Sequence, residues 1–161
     1  MTAMMINRYF GSKEQLFAEV VAQAMQTPNI LTQEIITSPT PGADIARALI
    51  KQTKTGAIPL DGFLIMLHSA SSQQAASIGR EQLEKHHQKA MTSALKGAFA
   101  PQRAAIVLSL IAGFQVMRQM IGLSALARAK PEMLVNILSP VFEQLIDDKR
   151  GSAGNKLSDE T

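Results

Sequence analysis

The sequence predicts an all-α protein on three observations: apolar residues recur at helical spacing along most of its 161 residues, no stretch sustains strand-like alternation, and Pro and Gly fall where helices would begin and end. Hydrophobic residues make up 46% of the chain, enough for a packed core and against disorder as its main state.

Residues 6–17, Ile-Asn-Arg-Tyr-Phe-Gly-Ser-Lys-Glu-Gln-Leu-Phe, read as the end of one short helix, a tight turn and the start of the next. Gly11 suits a left-handed exit from the first helix, and Ser12 with Gln15 forms a capping box for the second. That helix, from about Ser12 to about Met25, sets Leu16, Val20 and Ala24 on one stripe with Phe17 and Val21 beside it. Thr27 and Pro28 close it or open a short successor. The Thr-Ser-Pro-Thr-Pro-Gly stretch from Thr37 is a break, after which Thr40 can cap a helix with Pro41 in its first turn and Ile45, Leu49 and Ile50 facing inward.

Gly56 and Pro59 then set off an apolar helix, Leu60 to about Ala70, whose Phe63, Leu64, Met66 and Leu67 should be mostly buried. Ser71 with Gln74 repeats the capping box and opens a long amphipathic helix toward Lys96. On its wet face Glu81 precedes Lys85 by four residues, a pairing worth roughly 0.2–0.5 kcal/mol. Gly97 ends this helix, and Pro101 begins another that continues to about Ala127. Pro131 starts the last one, in which Pro140 predicts a kink or a short break. The Gly-, Ser- and Asn-rich charged tail from Gly151 reads as disordered.

Composition excludes several classes of function. With no cysteine there is no disulfide framework, thiolate metal site or cysteine nucleophile, and no secretory signal opens the chain, which suits the cytoplasm. The most apolar run, Ala104 to Met117, falls short of the roughly 20 residues that span a bilayer and reads as a core helix, so no membrane partner is expected. The formal charge of +3 is mild, and its cations are scattered rather than gathered in a tract. His68, His86 and His87 make no metal-binding pattern, because adjacent histidines on a helix diverge. There is no Gly-rich phosphate loop, no Gly-x-Ser-x-Gly turn and no His-Glu-x-x-His helix, and Glu81 and Glu84 lie on a solvated face. Neither an enzyme nor a cofactor is implied.

The 6–17 segment resembles the end of the helix-turn-helix domain in the tetracycline-repressor (TetR) family, where a recognition helix runs into an aromatic pair, a Gly-Ser-Lys-Glu turn and a linking helix. The order of elements from Thr40 onward resembles that family's regulatory domain, which ends in two helices that form a four-helix bundle with a second subunit. The resemblance implies a TetR-type regulatory helical domain preceded by a partial helix-turn-helix. It divides the chain into a remnant at 1–26, a ligand-binding and dimerisation domain at 27–150 and a tail at 151–161.

By the same resemblance, Thr2, Met4 and Met5 would meet base edges, Tyr9 and Lys13 would meet phosphates, Asn7 stands where many members have a tyrosine that touches a phosphate, Arg8 would be a further DNA contact, and Phe10 would pack inside the small domain. A segment starting at Met1 supplies little more than the recognition helix and the opening of the next. The expectation is therefore an N-terminal truncation that keeps dimerisation and effector binding and loses specific operator binding, DNA being a partner only of a chain with the missing helices. Two other readings are a DNA-independent helical module that binds a hydrophobic ligand or forms mixed dimers with a complete regulator, and, more weakly, a helical enzyme.

The helix around Ala104 to Leu126, apolar on nearly every side, favours a homodimer. Leu110, Gly113, Ile121 and Gly122 would meet Ile137, Leu138, Val141, Phe142 and Leu145 of the last helix across the interface, the glycines permitting close approach. Nine Met and six Phe with no Trp suggest an adaptable interior for a small apolar or amphipathic effector. Phe63, Met66, Met91, Phe114 and Met117 are candidate lining residues, though any single one is more simply core. Arg118 follows an apolar run, where burial requires an anionic or hydrogen-bonding partner; pairing with Glu143 or plain exposure is favoured over ligand recognition.

Overall fold

The computed structural model describes residues 12–25, 30–54 and 72–147. The predicted DNA contacts Thr2, Met4, Met5, Asn7, Arg8 and Tyr9, the predicted helix Leu60 to Ala70 with Phe63 and Met66, and the tail from Gly151 lie outside them. Among the described residues every regular element is a helix, so the protein is all-α. The chain forms two compact units, one from Met1–Asn29 with Ile58–His86 and one from Ile30–Ala57 with His87–Thr161.

In the first unit, α1 (Lys13–Met25) packs against α4 (Gln73–Leu83). The Ser12 hydroxyl accepts from the Gln15 amide at 3.1 Å, so the predicted cap forms. The buried stripe is rotated from the expected one: Val21 is fully buried while Val20 is exposed. At α4 the cap is Ser72, one residue later than expected, its hydroxyl accepting from the Ala75 amide. The helix then widens into a π-turn, Glu84–Gln88, before α5 (Lys89–Ala94). A π-turn changes which side chains stack. Among the described residues the ion pair formed is Arg47 with Asp44, not Glu81 with Lys85.

The second unit holds α2 (Gln33–Ile36), α3 (Pro41–Gln52), α5, α6 (Ala100–Gln115), α7 (Ser124–Ala127) and α8 (Pro131–Ile146). Ile45 and Leu49 of α3, Met91 of α5, Val107 and Ile111 of α6 and Phe142 of α8 meet in one core. Proline begins α3, α6 and α8 as predicted, where its missing N–H leaves no hydrogen bond unmade. Gly97 follows α5 with φ 85°, the left-handed conformation that a glycine adopts without strain.

Three expectations are corrected here. The helix from Pro101 does not reach Ala127: α6 passes into a π-turn, Val116–Met120, and the chain leaves it through Gly122 at φ 71°, with α7 a separate short helix. Pro140 lies on the exposed side within a continuous α8, so the short break does not occur, although its missing N–H cannot bond the Asn136 carbonyl. Thr40 stands at the N-cap of α3, but its hydroxyl donates to the Asp44 carboxylate at 3.2 Å instead of capping the backbone.

Helices α3 and α8 run antiparallel in close contact. A Cβ on Gly42 would lie 2.6 Å from the Glu143 amide nitrogen and 2.8 Å from the Ser139 carbonyl oxygen, so only glycine admits this approach. The Gly42 amide donates to Glu143 Oε2 at 3.0 Å. Just beyond, the Arg103 guanidinium gathers the end of α8, donating to the carbonyls of Leu145 and Ile146 at 3.0 and 3.2 Å and to those of Ala98 and Lys96.

Candidate groove beside Arg118

At the other end of the same helix pair, α3 and α8 border a groove of about 590 Å³. Arg47 and Lys51, four residues apart on one face of α3, reach it together with Lys54 from just after the helix. From α8 come Pro131, Glu132, Val135 and Asn136, and Ile50 adds an apolar wall. Arg118 lines it from the π-turn after α6. Four cations thus face one carboxylate, Glu132.

Arg118 is 4% exposed. One terminal nitrogen donates to the Ile50 carbonyl at 2.9 Å and to the Thr53 hydroxyl at 3.1 Å, while that hydroxyl donates onward to the Leu49 carbonyl at 2.7 Å. The guanidinium therefore sits at the negative end of α3, a favourable place for a cation. Its Nε is buried without an acceptor, and no described carboxylate pairs with it. The Phe114 ring lies 5.9 Å from its central carbon. Burial lowers the Arg118 pKa from its ordinary value. A guanidinium starts so high that it stays protonated and charged.

This placement overturns both favoured expectations for Arg118. It is not on the surface, and Glu143 is engaged elsewhere, with the Gly42 amide. Of the other predicted pocket residues that are described, Met91 is fully buried in the core, Phe114 is half-buried beside Arg118 and Met117 is exposed, so among the described members of that set the groove gathers Arg118 alone. Sequence reading missed Arg47, Lys51 and Lys54, although Arg47 and Lys51, four apart on one amphipathic helix, with Lys54 three residues on were a signal.

The predicted interface residues divide in two. Ile121, Ile137 and Val141 are exposed, as is Gly113, where a Cβ would meet nothing within 4 Å. Leu110, Leu138 and Leu145 are half-buried against the core. Phe142 is fully buried within its own unit, so it cannot face a partner, and Gly122 lies in the left-handed turn after the π-turn, exposed. Of Lys13, only its place as first residue of α1 is described. The segment Ala100–Met120 is 21 residues long and, by length and composition, apolar enough to cross a membrane. It is longer than the run read from sequence, and most of it is not buried. Among the described residues no three His, Asp or Glu side chains gather as metal ligands.

Residues 40–146, more than half of the chain, match the family model of the tetracyclin repressor-like C-terminal domain. No curated protein matches the chain. Such C-terminal domains are regulatory rather than enzymatic. The match covers α3 through α8, the helices that build the core and border the groove, and with the all-helical architecture it establishes that the chain belongs to the TetR family of regulators.

Proposed function

We propose that this chain is the effector-binding and dimer-forming part of a TetR-type transcriptional regulator, a cytoplasmic homodimer whose subunits meet through α6 and α8 in a four-helix bundle. One observation carries the reading: both helices hold uncovered apolar stripes at helical spacing. On α6 and its π-turn these are Ile106, Gly113 and Met117, with Ile121 just beyond; on α8 they are Met133, Ile137 and Val141. Contiguous apolar surface of this kind gains by leaving water, and a second copy supplies a matching face. The open space over Gly113 suits close approach of a partner helix.

Ligand response then requires an effector that favours one of two arrangements of the dimer.

The dimer is tested by light scattering during gel filtration at about 10 μM, a concentration at which a stable dimer of micromolar or tighter affinity is mostly assembled. Wild-type protein should run as a dimer. Ile137→Lys with Val141→Lys should run as a monomer of unchanged helical circular dichroism. A monomeric wild type, or a double variant that still dimerises, overturns the assignment of this face.

A further inference from the structure

We propose that the groove between α3 and α8 takes a small amphipathic carboxylic acid, with its carboxylate beside Arg118, Lys51 and Lys54 and its apolar part against Ile50 and Val135. The inference rests on the effector-binding reading above and adds the chemical class of the effector.

Arg118 carries the argument. A buried cation is costly unless charge or hydrogen bonds compensate it, and here the compensation is incomplete. One terminal nitrogen is engaged at the end of α3, Nε has no acceptor, and no described carboxylate forms an ion pair with it; Glu132, the carboxylate in the lining, leaves the groove net cationic. The residues added by the groove deepen the excess: Lys51 and Lys54 are exposed and form no ion pair among the described residues, and Arg47 is already shared with Asp44. An anion held here would be attracted by several cations from a partly desolvated site, where charge interactions are stronger than in water. Ile50 and Val135, with the ring of Pro131, give the same groove an apolar side. A carboxylate with a short hydrocarbon body satisfies both surfaces; an uncharged molecule satisfies one.

A purely structural Arg118 would cap α3 and do nothing else. The two roles separate by calorimetric titration of the 161-residue protein with octanoate and, in parallel, octan-1-ol. Octanoate should bind with a dissociation constant on the order of 0.1 mM or tighter, at least about tenfold tighter than the alcohol, and should weaken as salt rises. Lys51→Gln with Lys54→Gln, both at exposed positions, should weaken octanoate about three- to tenfold and leave the alcohol unchanged.

Arg118→Met should weaken octanoate by more than about 30-fold, with helical circular dichroism confirming that the variant is folded. Should that variant fail to fold, the lysine pair alone decides. No octanoate binding, equal binding of acid and alcohol, or octanoate binding indifferent to the lysine variant overturns the proposal, as does a folded Arg118→Met that loses stability but keeps its affinity. Alcohol binding without preference for the acid would leave the effector-binding reading standing and sink only the acid class. The dimer reading is decided separately, by the Ile137→Lys and Val141→Lys experiment.

Discussion

The two ends of the α3–α8 pair are built on opposite terms. At one end Gly42 lets the backbones nearly touch, Glu143 accepts from the Gly42 amide, and Arg103 spends its guanidinium on four carbonyls. At the other end the helices border a groove, and Arg118, the more deeply buried of the two arginines, keeps an unpartnered nitrogen. Satisfied polar groups with glycine-close packing hold structure together. A buried cation with incomplete partners leaves interaction free energy for something that binds later.

Substitutions at the closed end should therefore act on stability and those at the open end on binding. The largest effect is expected from Gly42→Ala. Alanine is the better helix former by about 1 kcal/mol, but its methyl would press on the backbone of α8, which cannot swing aside as a side chain could. Overpacking of this kind costs about 1–3 kcal/mol, and contacts of 2.6 and 2.8 Å to backbone atoms place it at the upper end, so after the propensity gain urea unfolding should show a net loss of about 2 kcal/mol. An unchanged or raised midpoint would mean that the closed end is not close-packed. Lys51→Ala, at the open end, should shift the same curve by less than about 0.5 kcal/mol.

Arg103→Met comes next. It removes the donor from the carbonyls of Leu145 and Ile146, which are only partly accessible to water, and from those of Lys96 and Ala98, which water can reach. A loss of about 1–2 kcal/mol in urea is expected, with octanoate affinity unchanged. Lysine should rescue little, since one ammonium cannot reproduce the planar fork that spans four acceptors. Glu143→Gln should cost about 1 kcal/mol or less, because the amide side chain can still accept from Gly42 while the charge at the positive end of α3 is lost.

What sequence revealed of this arrangement follows the range of each interaction. Starts and stops set by one residue and its neighbours were legible: Ser12 as a cap, prolines opening α3, α6 and α8, Gly97 after α5. Contacts between distant residues were not. Gly42 reads as part of a Pro-Gly break until Glu143, 101 residues away, is found against it, and Arg118 acquires its acceptor from Ile50, 68 residues earlier. Helical periodicity also leaves phase uncertain by about one residue. That explains why Val21 rather than Val20 lies at the centre of the buried face of α1. The π-turns at Glu84–Gln88 and Val116–Met120 have no single-residue signature, yet the second of them sets Arg118 beside the groove.

The smallest effect joins the two ends through Asp44. Its carboxylate accepts a short 2.6 Å hydrogen bond from Ser38, the main reason that its pKa lies below the ordinary value. Burial opposes this, and the Thr40 hydroxyl and Arg47 reinforce it. Because the folded-state pKa is lowered, the unfolded chain takes up the proton more readily. The stabilisation is therefore fully present above the unfolded value of about 3.9 and is lost as pH falls through the folded value. Asp44→Asn should lower stability at neutral pH by less than about 1 kcal/mol, as expected of a partly exposed network, and the deficit should vanish in acid. Parallel acid unfolding of the two proteins would mean that the network contributes nothing. At the open end the same substitution releases Arg47 from its ion pair into the cationic groove, so octanoate should bind slightly more tightly to a protein that is slightly less stable.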